Sequence, residues 1–167
     1  IKTSEDKIVL LDYNLNHPEV VAYQGNLDQI NIEKHYYYLN KLTNNLSNMY
    51  NKKVVVCIHP SDNLELKKKY FPNLEVVQYQ TTENIYKAFL VLFIESSVIT
   101  DAILLKKRIL TLISNFSGEN VIDHSLRWAK RVGFLRINIE DELKINNNKL
   151  LSKLDDAKKN YSNYIKS

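Results

Sequence analysis

The chain has 167 residues, of which 44% are hydrophobic and 25% are charged, proportions that are typical of one globular domain. Its apolar runs are shorter than the roughly 20 residues of a membrane-spanning helix, and it contains neither the G-x-G-x-x-G nor the G-x-x-x-x-G-K phosphate loop. The net charge of +4 favours an anionic partner, but the lysine runs lack the motifs of nucleic-acid modules, so no nucleic-acid partner is expected.

The hydrophobic pattern predicts short strands that alternate with helices. In chain order we predict strands at 7–12, 53–58, 74–77, 90–95, 108–113 and 134–138, and helices at 33–50, 62–70, 82–89, 97–106 and about 149–165. Nearly continuous runs of Val, Ile and Leu are typical of parallel strands that are covered on both faces. The predicted fold class is therefore α/β, an open parallel sheet flanked by helices.

We expect the whole chain, residues 1–167, to form a single domain, with peripheral helices from about 119 to 167. The first residue is isoleucine, and the opening segment lacks the features of a signal peptide. The chain is therefore expected to be the C-terminal part of a longer protein. The single cysteine, Cys57, cannot form an intrachain disulfide, which favours a reducing compartment such as the cytoplasm.

Two serines interrupt an apolar run at the end of the fourth predicted strand. In an open parallel sheet, ligands bind outside the carboxyl ends of the strands. Ser96 and Ser97 precede a predicted helix, where hydroxyls and the first backbone N–H groups can hold a phosphate. An alternative of equal weight is that one serine is simply the N-cap of that helix.

Polar residues also follow the first two strands. His59 could donate a hydrogen bond to a phosphate or a ribose hydroxyl, although His59 and Pro60 could also simply direct a turn. Asp12 and Asn14 follow the first strand and could face the same crevice or serve only as turn residues. We predict that the strands ending at His59 and Ser96 are parallel and open on one crevice.

Thr81, Thr82 and Glu83 lie at the start of a predicted helix and follow a strand end. They are candidates for the same crevice or for helix capping. The tyrosines of the segment Tyr36–Tyr38 occupy more than one helix face. We predict that part of this segment faces another domain or subunit.

The remaining histidines and the cysteine have no predicted site role. His35 and His124 have no partners at metal-ligand spacing, so no metal site is predicted. Replacing His124 should leave ligand binding unchanged. Cys57 lies in an apolar run, where a thiol keeps a high pKa and is a poor nucleophile.

The segments LLDYNLNHPEV (10–20), CIHP (57–60) and TTENIYKAFLVLFIESSVITDAILLKKRILTL (81–112) resemble the C-terminal, nucleotide-sugar-binding half of GT-B glycosyltransferases. The closer similarity is to bacterial enzymes of capsule and surface-polysaccharide synthesis, including sialyltransferase-like enzymes with an HP motif and a downstream serine pair. The resemblance implies an open Rossmann-like sheet that forms one half of a GT-B fold. It implies that His59, Ser96 and Ser97 contact the phosphates and ribose of the donor, and that the segment beginning at Thr81 borders the base pocket. The sequence departs from many such enzymes at Arg108, where they have proline.

The same resemblance implies a glycosyltransferase domain that takes a CMP- or UDP-linked sugar for surface-polysaccharide or lipooligosaccharide synthesis. Its further partners would be a glycan or lipid-linked acceptor and an N-terminal GT-B half, which usually carries the catalytic base. The expected location is the cytoplasm, with peripheral association at the inner face of the membrane as an option. No cofactor or metal is expected, because basic residues and helix N–H groups can neutralise the leaving phosphate. The catalytic residues are not identified.

Two alternatives stay open. A nucleotide-sugar epimerase could use the same architecture, but it requires acid/base groups around the sugar, and the sequence reveals no convincing pair. A flavodoxin-like or receiver-like binding domain would not be an enzyme. A receiver would carry paired acidic residues after the first strand, where Asp12 alone is in place.

Overall fold

The structure is a computed structural model that describes residues 5–15, 17–23, 30–141 and 146–166. Within these residues, six strands and eight α-helices follow one another. The strands are β1 (Lys7–Leu11), β2 (Lys53–Ile58), β3 (Glu75–Gln78), β4 (Ala88–Phe93), β5 (Ile109–Ile113) and β6 (Leu135–Asn138). The helices are α1 (Pro18–Tyr23), α2 (Ile32–Tyr50), α3 (Leu64–Tyr70), α4 (Thr81–Tyr86), α5 (Ile99–Leu104), α6 (Glu119–Val132), α7 (Asn147–Ala157) and α8 (Tyr161–Lys166).

The six strands form one parallel sheet in the order β3-β2-β1-β4-β5-β6. This is the Rossmann order, in which the chain winds outward in both directions from β1. The predicted fold class, an open Rossmann-like parallel sheet flanked by helices, is therefore confirmed. A flavodoxin-like or receiver-like sheet has the order 2-1-3-4-5, so that alternative is wrong.

Both faces of the sheet are buried, as the apolar runs predict. Ile8 and Leu10 of β1 lie on the face of the sheet that α2 and α7 cover. Val9 and Leu11 lie on the opposite face, which α5 and α8 cover. All four side chains are at most 1% exposed. Among the helices that the structure describes, none has the length and hydropathy needed to cross a bilayer.

The C-terminal helices belong to the core, so the expectation that residues 119–167 are peripheral is wrong. Leu150 and Leu154 of α7 are fully buried against one face of the sheet. Tyr161 of α8 is buried against the other face, and its hydroxyl donates to the Lys107 carbonyl at 3.1 Å. Leu150 and Leu154 are four residues apart, so they form the apolar face of α7, whereas α8 covers the opposite face of the sheet.

Two predicted helix boundaries differ from the structure, and the first differs because the sheet takes the residues. Ala88 and Phe89 were predicted at the end of a helix but are the first residues of β4, because Ala88 pairs with Lys7 of β1. The next helix, α5, begins at Ile99 rather than at Ser97 and is only six residues long.

Capping also differs from the prediction at α3. The predicted first residue was Asp62, but Asn63 is the N-cap, and its side chain accepts a hydrogen bond from the Leu66 backbone N–H at 3.0 Å. Asp62 is instead buried, and its carboxylate lies 4.0 Å from the ammonium group of Lys67. In addition, α1 forms at Pro18–Tyr23, where neither a helix nor a strand was predicted.

The three consecutive tyrosines of α2 have different environments. Tyr36 is buried, and Tyr38 stacks on Phe116 with ring centroids 5.7 Å apart. Tyr37 is 64% exposed and makes an edge contact with Tyr38. Tyr37 is therefore the member of the segment that could face another domain or subunit, and the interface stays a prediction.

We expect Tyr37→Ser to change the free energy of unfolding by less than about 0.5 kcal/mol, because exposed side chains contribute little to stability. Urea denaturation measures this, and sedimentation velocity on the same variant shows whether self-association weakens. A loss of more than about 1.5 kcal/mol would show that the ring belongs to the core of this domain instead.

Candidate functional site

A cleft of about 1010 Å³ opens at the carboxyl edge of the sheet, where β1 and β4 lie side by side. Strand order reverses at this point, and open α/β sheets bind their ligands there. The volume lies at the upper end of the roughly 300–1,000 Å³ that is typical of ligand pockets. All nine candidate site residues line the cleft: Asp12, Asn14, His59, Pro60, Thr81, Thr82, Glu83, Ser96 and Ser97.

The predicted placement of His59 and Ser96 on one crevice is confirmed. They follow β2 and β4, which are parallel and flank β1 on its two sides. Two strand spacings of about 4.8 Å separate these strands, so their ends stand about 10 Å apart. A ligand lying across the end of β1 could reach both.

His59 has a defined tautomer because of the turn that follows it. Its Nδ1 accepts a hydrogen bond from the Ser61 backbone N–H at 3.1 Å and lies 2.7 Å from the Ser61 hydroxyl. In a neutral ring whose Nδ1 is an acceptor, the proton sits on Nε2. Nε2 has no hydrogen-bond partner among the described residues, so the exposed ring offers a donor.

The turn carrying His59 and Pro60 is held by hydrogen bonds from residues at the end of β3. The Gln78 side-chain amide donates to the carbonyls of His59, Pro60 and Asp62 at 3.0 to 3.2 Å. The Tyr79 hydroxyl donates to the Pro60 carbonyl at 3.2 Å. Tyr79 has a left-handed φ of 65°, which is uncommon for a bulky residue. The strand end thus positions the histidine.

Ser96 and Ser97 are not helix caps. The N-cap of α5 is Val98, and no side chain caps this helix. The carbonyls of Ser96 and Ser97 accept hydrogen bonds from the backbone of Ile99 and Thr100, but neither hydroxyl has a partner among the described residues. The N-cap alternative is therefore wrong, and both hydroxyls can serve a ligand in the cleft.

Asp12 has a structural contact as well as a place in the cleft. Its Oδ2 accepts hydrogen bonds from the ammonium group of Lys67 and, at 3.4 Å, from the Tyr36 hydroxyl. Lys67 is itself 2% exposed. Burial raises the pKa of the Asp12 carboxyl, and Lys67 opposes that rise. The second oxygen, Oδ1, is buried with no partner among the described residues.

The segment beginning at Thr81 lines the cleft from α4. Thr81, Thr82 and Glu83 are the first residues of this helix rather than its caps, since the N-cap is Gln80. The Thr82 hydroxyl donates to Asp101 at 2.9 Å, and Glu83 pairs with Lys87 at 2.8 Å. The polar atoms of Thr82 and Glu83 are thus already engaged within the protein.

The thiol of Cys57 behaves as the sequence predicts. It lies at the floor of the cleft with 3% exposure, and burial raises its pKa to about 12. A thiol with that pKa is almost wholly protonated near neutral pH and is a poor nucleophile.

Sequence reasoning missed two lining residues from α6, His124 and Trp128. His124 Nδ1 lies 3.2 Å from Glu95 Oε1, within ion-pair distance but without the alignment of a hydrogen bond. Glu95 ends the run before Ser96 and also accepts a hydrogen bond from Tyr13. His124 and Trp128 are four residues apart on one helix, so they lie on the same helix face. This spacing was the sequence signal that could have identified them as a pair.

The charge of the cleft also differs from expectation. Neither lysine nor arginine occurs among the described residues that line it, so basic side chains of this part of the chain do not supply the expected neutralisation of phosphate. The lining side chains that can become positive are His17, His59 and His124. The described part of the chain contains no group of three potential metal ligands.

No family model and no curated protein matches the chain. Among solved structures, the chain is similar to spinosyn rhamnosyltransferase SpnG complexed with spinosyn aglycone, with a TM-score of 0.52 and 12% identity over 99% of this chain and 42% of that one. The complex of SpnG with thymidine diphosphate gives the same TM-score, over 98% of this chain. A Methanocaldococcus jannaschii UDP-GlcNAc 2-epimerase in complex with UDP-GlcNAc and UDP has a TM-score of 0.49 and 14% identity over 98% of this chain and 45% of that one.

The chain spans less than half the length of these proteins. The similarity to SpnG shows the fold, a GT-B-like domain with a Rossmann-like sheet. The predicted resemblance to GT-B enzymes is thus confirmed at the level of the fold.

Proposed function

We propose that the chain is the donor-binding domain of a glycosyltransferase and binds a nucleotide-activated sugar. The observation that carries this proposal is the cleft between the ends of β1 and β4, which gathers His59, Ser96 and Ser97 at the ligand-binding edge of a GT-B-like sheet. The His59 ring and the two serine hydroxyls have unused hydrogen-bonding capacity that phosphate and ribose oxygens can satisfy.

The finer parts of the proposal rest on the sequence resemblance. The donor is a CMP- or UDP-linked sugar, the acceptor is a glycan or lipid-linked glycan, and the product contributes to bacterial surface polysaccharide or lipooligosaccharide. A second GT-B half supplies the acceptor site and the catalytic base. The reaction takes place in the cytoplasm, with peripheral attachment to the membrane, and requires no metal cofactor.

The ligands of the SpnG complexes support a nucleotide-linked donor for this chain. Its solved complexes contain thymidine diphosphate in one case and a spinosyn aglycone acceptor in the other. A chain that covers 42% of such an enzyme is long enough for one of its halves. The proposal assigns the nucleotide to this half because the switch point of the sheet lies here.

A thermal-shift panel with CMP, CDP, UDP, GDP and thymidine diphosphate tests the proposal. A ligand present at about 100 times its Kd stabilises the folded state by about 2.7 kcal/mol, which raises the Tm of a domain of this size by about 5–10 °C. We expect one or two of the nucleotides to give such a shift, and inorganic phosphate at the same concentration to give much less. Absence of a shift with every nucleotide would contradict the proposal.

An epimerase is the second candidate, because Glu95 and His124 form a carboxylate–imidazole pair in the cleft. Such a pair is what an acid/base reaction on the sugar requires, and the sequence alone did not reveal it. Proton NMR of a reaction mixture distinguishes the two activities. The product of an epimerase is a nucleotide-linked sugar with one carbon centre inverted. A transferase instead moves the sugar to an acceptor and releases the free nucleotide.

A further inference from the structure

Among the described residues that line the cleft, the side chains that can carry the positive charge a phosphate needs are histidines. Its described lining includes three carboxylates, and two of them already have a lysine partner: Asp12 with Lys67, and Glu83 with Lys87. Glu95 is paired with His124 instead. The phosphate groups of a sugar nucleotide bring two negative charges when it is a diphosphate and one when it is a monophosphate. Desolvating that charge without a cation is costly.

His124 is the histidine whose surroundings suit a charged ring. Its Nδ1 is buried and lies 3.2 Å from Glu95 Oε1, so a positively charged ring would have a negative partner at this edge. The side chain is 41% exposed, so the exposed part belongs to the other ring edge, which carries Nε2. His59 differs, because its Nδ1 accepts a backbone N–H, as a neutral ring does.

Glu95 is anchored so that it can hold the ring in place. It lies two residues after the end of β4, accepts a hydrogen bond from Tyr13 in the loop after β1, and lies half-buried beside α6. Glu95 also precedes Ser96 in the chain. The ring that Glu95 orients therefore stands next to the serine pair to which the proposed function assigns the phosphate.

We propose that His124, oriented by Glu95, is the cationic phosphate ligand of this cleft, so that a sugar nucleotide binds together with a proton. This inference rests on the proposed function, since it assigns one more contact in the same site. It assigns His124 a binding role and Glu95 a positioning role, and it reverses the sequence-based expectation that His124 is dispensable.

Other titratable or charged groups surround the pair, and their contributions have to be separated from that of His124. Arg127, one turn along α6, interacts electrostatically with Glu95. Burial raises the pKa of the Glu95 carboxyl, an effect that His124, Tyr13 and Arg127 oppose. The remaining titratable groups that line the cleft are Asp12, His17, Cys57, His59, Tyr79 and Glu83.

Isothermal titration calorimetry of the unaltered protein with UDP-N-acetylglucosamine and with a CMP-linked sialic acid tests the inference. The phosphates of sugar nucleotides are diesters, so they do not titrate near neutral pH as phosphate monoesters do, with a second pKa of about 6. Titrations at pH 7 in two buffers of different ionisation enthalpy give the number of protons taken up. We expect proton uptake on binding at pH 7 and an affinity that falls as the pH rises from 6 to 8, because a ligand that binds together with a proton binds more weakly when protons are scarcer.

His124→Gln should abolish most of the proton uptake and lower the affinity about tenfold at pH 6, because it removes the proposed charge-assisted hydrogen bond to the phosphate. Glu95→Gln should reduce the uptake while leaving a histidine to bind. Lys130→Gln is the matched control, since it removes an exposed charge from the same helix outside the cleft. Circular dichroism checks the fold of each variant.

The outcomes separate this inference from the proposed function. If the unaltered protein binds neither sugar nucleotide, the proposed function fails and the inference fails with it. If the protein binds one of them without proton uptake, or if uptake persists in His124→Gln and disappears in His59→Gln or His17→Gln, the role of His124 alone is overturned.

Discussion

Replacing Lys67 with methionine is expected to destabilise the domain by about 3–5 kcal/mol, the usual cost of breaking a buried ion pair from one side. The Lys67 ammonium contacts the Asp12 carboxylate, lies 2.7 Å from the Tyr36 hydroxyl and is 4.0 Å from Asp62. Both carboxylate side chains are fully buried. Without Lys67, two buried negative groups lose their shared cation. Urea denaturation measures the loss.

The loss should depend on pH in a defined direction. Burial raises the pKa of Asp12 in the folded protein above its ordinary value, and Lys67 limits that rise. Without Lys67 the folded state holds the Asp12 proton to higher pH than the unfolded state does, so the variant loses stability relative to the unaltered protein as pH rises. The difference between the two proteins should therefore be larger at pH 7 than at pH 5.

Lys68→Met is the matched control for this variant. Lys68 is the next residue of α3, its side chain is half-exposed, and it pairs with Glu65 across one helical turn. Exposed pairs of this kind contribute roughly 0–1 kcal/mol. Equal effects of Lys67→Met and Lys68→Met would contradict the buried-pair account.

This buried cluster also defines what Asp12 does in the cleft. Asp12 follows β1 directly, at the point where the strand order reverses, and Lys67 reaches it from α3. The contact fixes the start of the loop that lines the cleft. Asp12 therefore contributes to the shape of the site, since its carboxylate is buried beneath the cleft surface.

The fold class could be predicted because the strands are buried on both faces, which makes their sequences nearly continuous in apolar residues. The strand order could not, since it depends on pairing between segments far apart in the chain, such as β1 with β4. Periodicity also misplaced the start of β4. Alanine has a high helix propensity, but Ala88 pairs with Lys7 of β1 and is therefore part of the sheet.

The candidate site residues could be predicted because one rule covers them: parallel strands end at the same edge of a sheet. That rule finds residues that follow strands and misses residues that arrive from helices. His124 and Trp128 reach the cleft from the middle of α6. Lys67 was missed for a related reason. It belongs to a run of three lysines, which predicts an exposed face, and only the folded chain shows that Lys67 turns inward.

Replacing both Ser96 and Ser97 with alanine is expected to weaken nucleotide binding at least tenfold and to leave stability nearly unchanged. Each hydroxyl would donate to a charged phosphate, and such bonds contribute about 1.5–3 kcal/mol. Neither hydroxyl has a partner among the described residues, and neither caps α5, so we expect the free energy of unfolding to change by less than about 0.5 kcal/mol.

Calorimetry with the nucleotide that gives the largest thermal shift measures the effect, and urea denaturation confirms the fold. Ser152→Ala, at an exposed position of α7 outside the cleft, is the matched control and should bind as the unaltered protein does. His59→Ala should weaken the same ligand, because it removes the Nε2 donor that the turn after β2 holds in place. A double-serine variant that keeps full affinity would show that the ligand does not reach the end of β4, and would remove the main support for assigning the donor phosphate to this edge of the sheet.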